Sequence, residues 1–467
     1  MPWLAVAFAW LLCQGLSLLY PHSLFWDDWR LYDTTNLDLN EGGQFERDIW
    51  PREELEGFLL SLHPGSFRVL TFLIFPIIAL LTWRIAGLFV NKGLTSREQR
   101  LIGLLVLFLP VNSARITNIT FGYTISLLAF VTAAWIWLRY RTTITTLLAV
   151  LLFVFSFRTS SLLAFALVPG ALSLSLDFLA TRRLGLRSSL RAVLPLVMAL
   201  IYRRFISDNG VAPGYNEFQI GGLMRSALML ISFAGVIGGL WYRRERLSLS
   251  ARAIKQFGGG LGILWLGAMP YMAVGHLSTV SDWTVNFLPG EGDWHSRHQL
   301  LLPFGMALIL IGFFNLLEGK AMVLLMPLVL AVSFIFTFLY SVEYLVDARK
   351  QDAVITALRQ EPSLKSTRVV FLTDDSSAAK LNARARSYRE YETDGLLRRA
   401  LGVEAPRFFD ESQLESETCN APATVPVYRV FAPILTFTKF QIALGRSIPV
   451  TFEKSSVLAC LKPEFRP

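Results

Sequence analysis

Two adjacent carboxylates, Asp27 and Asp28, stand between tryptophans in the stretch LLYPHSLFWDDWRLYD, just after an apolar run of about one membrane thickness. A carboxylate at that depth, partly shielded by Phe25, Trp26 and Trp29, is suited to act as a general base toward a hydroxyl whose partner is anchored in lipid. The pair also offers oxygen ligands for a divalent cation such as Mg or Mn, and its plainest reading is two solvated carboxylates beyond an aromatic belt. A second cluster, LPGEGDWHSRHQLLLPFG, puts His295, Arg297 and His298 immediately before an apolar run. A guanidinium and imidazoles beside a helix N-terminus suit a phosphate. Arg297 reads equally as a headgroup anchor, or as a partner of Glu291 and Asp293. Arg115 in PVNSARITNITFGY and Arg158 in FSFRTSS occupy very short turns between apolar segments, where a desolvated cation needs a counter-charge.

The elements that must position these groups cross a membrane. The chain has 467 residues, 53% of them hydrophobic and 17% charged, and charged residues normally make up about a quarter of a soluble domain. Mean hydropathy is +0.46. Apolar segments of crossing length are expected near 2–20, 67–90, 101–114, 121–138, 142–157, 160–179, 190–206, 220–240, 257–277, 299–317 and 321–343. The first lacks a basic leader and a clear small-residue cleavage site, so it is expected to be a retained span. Net charge is +9, but the basic residues fall in short clusters, NKGLTSREQR, RYR, TRRLGLR, YRRERLSLSARAIK and EGK, which alternate along the chain. That pattern argues for membrane orientation rather than nucleic-acid binding, and it puts those loops and the N-terminus in the cytoplasm. The long loop 21–66, the turns near 115 and 158, the loops 207–219 and 278–298, and the tail then lie outside, Arg203 and Arg204 running against the trend. Nearly the whole complement of five histidines, His22, His63, His276, His295 and His298, is expected on that outer side.

From Leu345 the composition turns polar, and residues 344–467 are expected to form a small soluble α/β or α+β domain. STRVVFLTDD reads as a strand, SSAAKLNARARSYREY as a helix, and TVPVYRVFAPILTFT as one or two strands made irregular or edge-like by Pro422, Pro426 and Pro433. Cys419 and Cys460 can pair only in an oxidising compartment, and with Cys13 they make no zinc signature. The glycines of KQFGGGLGILWLGAMP have helix-packing spacing and do not form a nucleotide loop. Asn118-Ile-Thr matches a glycosylation acceptor but sits close to the membrane.

A first span followed by an outer loop that opens with FWDDW, about eleven spans, a basic cluster with histidines before a late span and a soluble tail together resemble the GT-C superfamily of integral membrane glycosyltransferases. The nearest comparison is with bacterial arabinosyl-, mannosyl- and aminoarabinose-transferases. The resemblance implies a GT-C-like membrane domain over residues 1–343 and an extracytoplasmic domain over 344–467, in the plasma (inner) membrane. It implies a polyprenyl-phosphate-linked sugar as donor and a cell-envelope glycan, glycolipid or protein hydroxyl as acceptor, with inversion at the anomeric carbon. Asp27 or Asp28 would be the base, with Asp27 preferred. Arg297, His298 and His295 would hold the lipid phosphate, aided by Arg115 and Arg158, while Glu217 and Trp29 are the candidates for acceptor contact. The loop SDNGVAPGYNEFQIGG is short for this family, so acceptor docking on the C-terminal domain is also expected. The rival classes are an O-antigen-type polymerase or ligase, and a transporter of polyprenyl-linked substrates.

Overall fold

The computed structural model describes residues 3–25, 28–31, 58–59, 62–63, 65–183, 185–206, 218–277, 296–366, 369–374, 390–402, 407–408, 423–432 and 438–459. Helices stand where apolar segments were expected. They are α1 (Trp3–Gln14), α2 (Ser66–Gly87), α3 (Ser96–Phe108), α4 (Phe121–Arg139), α5 (Thr143–Ser156), α6 (Leu167–Thr181), α7 (Leu186–Ile201), α8 (Ile220–Tyr242), α9 (Ala251–Ala273), α10 (Leu302–Leu316) and α11 (Glu318–Gln360). Among the described residues, five helices are long and apolar enough to cross a membrane: Ser66–Gly87, Phe121–Arg139, Ser161–Thr181, Ile220–Tyr242 and Val323–Gln360. Large apolar side chains such as Phe8, Ile144, Leu147, Leu186 and Ile220 are exposed on the helix surfaces, as suits lipid rather than water. This is the architecture of a helical membrane protein.

Two glycines of α9, Gly260 and Gly267, serve the close packing expected of the run. A Cβ on Gly260 would lie 2.6 Å from the backbone nitrogen of Ile309, and one on Gly267 would lie 3.0 Å from Leu301 Cβ. From the other side, a Cβ on Gly305 would meet Leu264 N at 2.4 Å, and one on Gly312 would meet Phe257 N at 2.4 Å. Two glycines seven residues apart on each helix therefore face each other's backbone in an antiparallel seam, the close approach that small residues permit inside a membrane. Polar networks brace the end of the bundle expected to be cytoplasmic. Thr95 and Glu98 form a capping box at the start of α3. The buried Glu98 carboxylate also receives Arg252 of α9 and, at 2.6 Å, the Asn315 amide of α10. Arg141 bonds Asp177 of α6, and Arg191 of α7 donates to the carbonyls of Trp137 and Tyr140.

At 1.5 Å per residue the 43-residue α11 is about 65 Å long, twice the hydrocarbon thickness, so it carries its axis well beyond any bilayer. The change in composition at Leu345 thus falls inside a continuous helix. Its far half is the floor of a C-terminal domain made of α12 (Glu390–Leu401), a short helix Lys439–Ala443 and a four-stranded sheet. The strands are β1 (Val369–Asp374), β2 (Arg407–Phe408), β3 (Ala423–Phe431) and β4 (Thr451–Ala459), in the order β2-β1-β3-β4, with only β3 and β4 antiparallel. β1 and β3 coincide with the expected strands, whereas β4 was not anticipated. Pro426 sits inside β3, opposite Ser456 of β4, and the pairing with β1 begins one residue later, at Val427. Most of the expected helix at 376–391 lies outside the described residues, as do Pro422, Pro433, Cys419 and Cys460. Cys13 is a buried free thiol.

The C-terminal domain does not pack on α11 alone. Leu24 and Trp29, in the segment between α1 and α2, share one core with Val342, Val346 and Leu358 of α11, Leu396 and Leu397 of α12, and Tyr428 and Val430 of β3. Lys439 pairs with Glu343 at 2.8 Å, and the Arg399 guanidinium donates to the His22 carbonyl at 2.9 Å.

Candidate functional site

After α3 the chain turns at Asn112, which takes a left-handed backbone (φ 57°) that Asn tolerates better than most residues. Two 3-10 turns follow, Ser113–Ile116 and Asn118–Thr120, before α4 begins. A buried loop must satisfy its backbone without helix or sheet. Here Thr117 and Thr120 do so, their hydroxyls donating to the carbonyls of Ala114 (2.8 Å) and Thr117 (2.9 Å).

This loop is the point at which the two polar clusters meet. On one flank the Asp28 carboxylate, 0% exposed, accepts through Oδ2 from the backbone N–H groups of Phe25 (3.0 Å) and Asn118 (3.1 Å). On the other, Ser296 Oγ accepts the Ala114 N–H at 2.8 Å and bonds Ser113 Oγ at 3.0 Å, while Gln299 Oε1 accepts the Asn112 N–H at 3.2 Å. The turn 296–299 carries Arg297, half-buried, and His298, buried. The His298 ring stacks on His276 with centroids 4.4 Å apart and lies 5.1 Å from Tyr271, whose hydroxyl donates to Ser161. Arg158, half-buried, belongs to the turn that leads into Ser161.

Arg115 projects from the middle of the loop and is 4% exposed. Its guanidinium lies over Trp10 (5.2 Å) of α1 and Phe75 (4.5 Å) of α2. Phe75 is nine residues into α2, about 13 Å along its axis from Ser66. Among the described residues this guanidinium has no carboxylate at ion-pair distance and no hydrogen-bond acceptor. Cation–π attraction to two rings offsets part of the cost of burying the charge, at about 2 kcal/mol or more per ring when desolvated, but does not neutralise it.

Trp29 is buried in the core shared with the C-terminal domain, and the Arg399 Cζ lies 5.8 Å from its ring centroid. Asp27, His295 and Glu217 lie outside the described residues. Among the described residues no group of three or more His, Cys, Asp or Glu is placed to hold a metal ion.

Arg68 and Gln351, which sequence reasoning passed over, belong here, as do Asn118 and His22, which it read only as a glycosylation acceptor and an outer-side histidine. Arg68, buried in the first turn of α2, donates to the carbonyls of Tyr20 and Ser23, with its Cζ 5.2 Å from the Tyr20 ring and 5.0 Å from the Phe25 ring. A cation in the first turn of an apolar span was the available signal. Gln351 of α11 donates to the Leu24 carbonyl at 2.7 Å, giving the segment after α1 a hold on the long helix. Asn118, a poor glycosylation acceptor at 2% exposure, is central to the loop. His22 lies against His63, with ring centroids 5.2 Å apart. Desolvation, then His63, Arg399 and Arg68, pull its pKa below the ordinary imidazole value, and Asp352 opposes them. Desolvation likewise lowers the pKa of Arg399.

No family model, curated protein or solved structure matches the chain.

Proposed function

We propose that this chain is an inverting membrane glycosyltransferase of GT-C type, with eleven crossings, a cytoplasmic N-terminus and an extracytoplasmic C-terminal domain in the plasma (inner) membrane. It moves a sugar from a polyprenyl phosphate to a hydroxyl of a cell-envelope acceptor. The observation that carries this reading is Arg115: a buried guanidinium without a counter-anion among the described residues, on the loop that also holds Asp28 and the turn of Arg297 and His298. A lipid phosphate is an anion that reaches such a depth from the bilayer side.

In this reaction the base removes the acceptor hydroxyl proton as that oxygen attacks the anomeric carbon. The bond to the phosphate oxygen breaks with inversion, and the leaving phosphate keeps the bonding pair. Arg115, Arg297 and His298 offset its charge, a use of preorganised cations that is worth most away from water. Asp27 is the preferred base, because Asp28 Oδ2 already accepts two backbone N–H groups and so orders the loop.

The test is sugar transfer from a polyprenyl-phosphate donor by the full-length protein in proteoliposomes. Arg115→Met is expected to lower transfer about 100-fold, with Arg115→Lys retaining part of it, and Asp27→Asn to abolish it. Wild-type transfer by both Arg115→Met and Asp27→Asn would overturn the assignment.

A further inference from the structure

Buried polar side-chain atoms in folded proteins nearly always have a partner, so those that do not need a reason. Around the first outer loop they gather. Tyr20 Oη, Trp29 Nε1, both amide atoms of Asn118 and Gln351 Oε1 are buried without a hydrogen-bond partner among the described residues. Each of these residues belongs to or touches the stretch 20–29. The Asn118 backbone N–H donates to the Asp28 carboxylate at 3.1 Å, and the Gln351 side-chain amide donates to the Leu24 carbonyl at 2.7 Å. Tyr20 stands edge-on to Phe25, with centroids 5.6 Å apart. Asn118 is 2% exposed and Tyr20 5%.

From this we propose that Asn118 and Tyr20, with Gln351 and Trp29 beside them, form a subsite for a neutral polyhydroxylated ligand, the glycosyl or acceptor-sugar portion of the substrate. The inference rests on the glycosyltransferase reading and assigns the sugar to different residues from those that take the phosphate. The chemistry selects hydroxyls over anions. The unused atoms comprise two amide acceptors, an amide donor, an indole donor and a phenol that does both, and a sugar hydroxyl also gives and accepts. The Asp28 carboxylate beside Asn118 repels an anion there, and the guanidiniums nearest Tyr20 and Trp29, those of Arg68 and Arg399, already donate to the carbonyls of Tyr20, Ser23 and His22. Arg115, on the same loop, faces Trp10 and Phe75 instead, so cation and neutral groups serve different parts of one ligand.

The experiment uses the full-length protein in nanodiscs, with glucose, galactose and xylose as probes and inorganic phosphate as competitor, read by saturation-transfer NMR. Wild type should bind at least one sugar in the millimolar range, and phosphate should not displace it. Asn118→Leu should weaken binding about 10–100-fold by removing a donor and an acceptor, and Tyr20→Phe several-fold. Because each variant replaces an unpartnered polar group by an apolar one of similar size, the unfolding midpoint should stay level or rise. No sugar binding by wild type, equal binding by Asn118→Leu, displacement by phosphate, or a lowered midpoint in Asn118→Leu would overturn the proposal. Sugar binding that behaves as expected in a protein without transferase activity would keep the subsite and overturn the glycosyltransferase reading instead.

Discussion

Asp28 shows how much rests on a single side chain. The carboxylate is fully buried and its two backbone donors are Phe25 and Asn118, so it joins the stretch after α1 to the turn before α4. Asp28→Asn keeps the shape but loses the charge that strengthens both bonds, and it is expected to cost about 1–3 kcal/mol of stability in denaturant unfolding. Asp27→Asn tests transfer, so the two adjacent variants separate an ordering role from a chemical one. His22 sets a pH dependence. Its pKa is lowered in the folded protein, so between that value and the ordinary imidazole pKa the unfolded chain binds more protons. Stability through this group is therefore full above the ordinary value and is lost as pH falls. The thermal midpoint should drop on acidification below about pH 6.5, and less so in His22→Gln. The ring is exposed, so the difference between the two proteins is expected to be small. Equal slopes would remove His22 from the account.

At the level of elements, the α9–α10 seam makes the sharpest demand. Gly305→Val would drive a side chain into the backbone of Leu264 and is expected to cost about 1–3 kcal/mol, or to prevent folding. Gly262, in the same glycine run, has open space where its Cβ would be, and Gly262→Ala should be neutral or stabilise by up to about 1 kcal/mol. Thermal unfolding in detergent distinguishes the two, and equal effects would deny the seam its special role. The glycine spacing was legible in the sequence, but which glycines face a neighbour was not, because helical rotation is set by the partner helix. The same holds for α11: its apolar run was evident, yet its continuation to Gln360 depends on the C-terminal domain packing along it.

For the whole molecule, the alternating basic clusters predict that one end of the bundle faces the cytoplasm. Leu444, 89% exposed in the C-terminal domain, and Tyr242, 88% exposed at the end of α8, stand at ends expected to face opposite ways. In a background without native cysteines, Leu444→Cys should react with an impermeant maleimide on intact cells, and Tyr242→Cys only after permeabilisation. The reverse pattern would put Asp28, Arg115 and His298 on the wrong face for a lipid-linked donor. Composition and period alone determined that this is a helical membrane protein, where its apolar helices lie and that a mixed domain follows them, because these properties are local and depend on burial in lipid or water. The acidic pair, Arg297, His298 and Arg115 were legible as unusual charges near a membrane surface. Only the tertiary structure decided that the loop 112–120 joins them, that Trp29 is core, and that Asn118, Tyr20 and Gln351 hold unused polar atoms beside Asp28. Such facts concern residues up to hundreds of positions apart, and hydrogen-bond satisfaction is a property of the packed neighbourhood, which no stretch of sequence carries by itself.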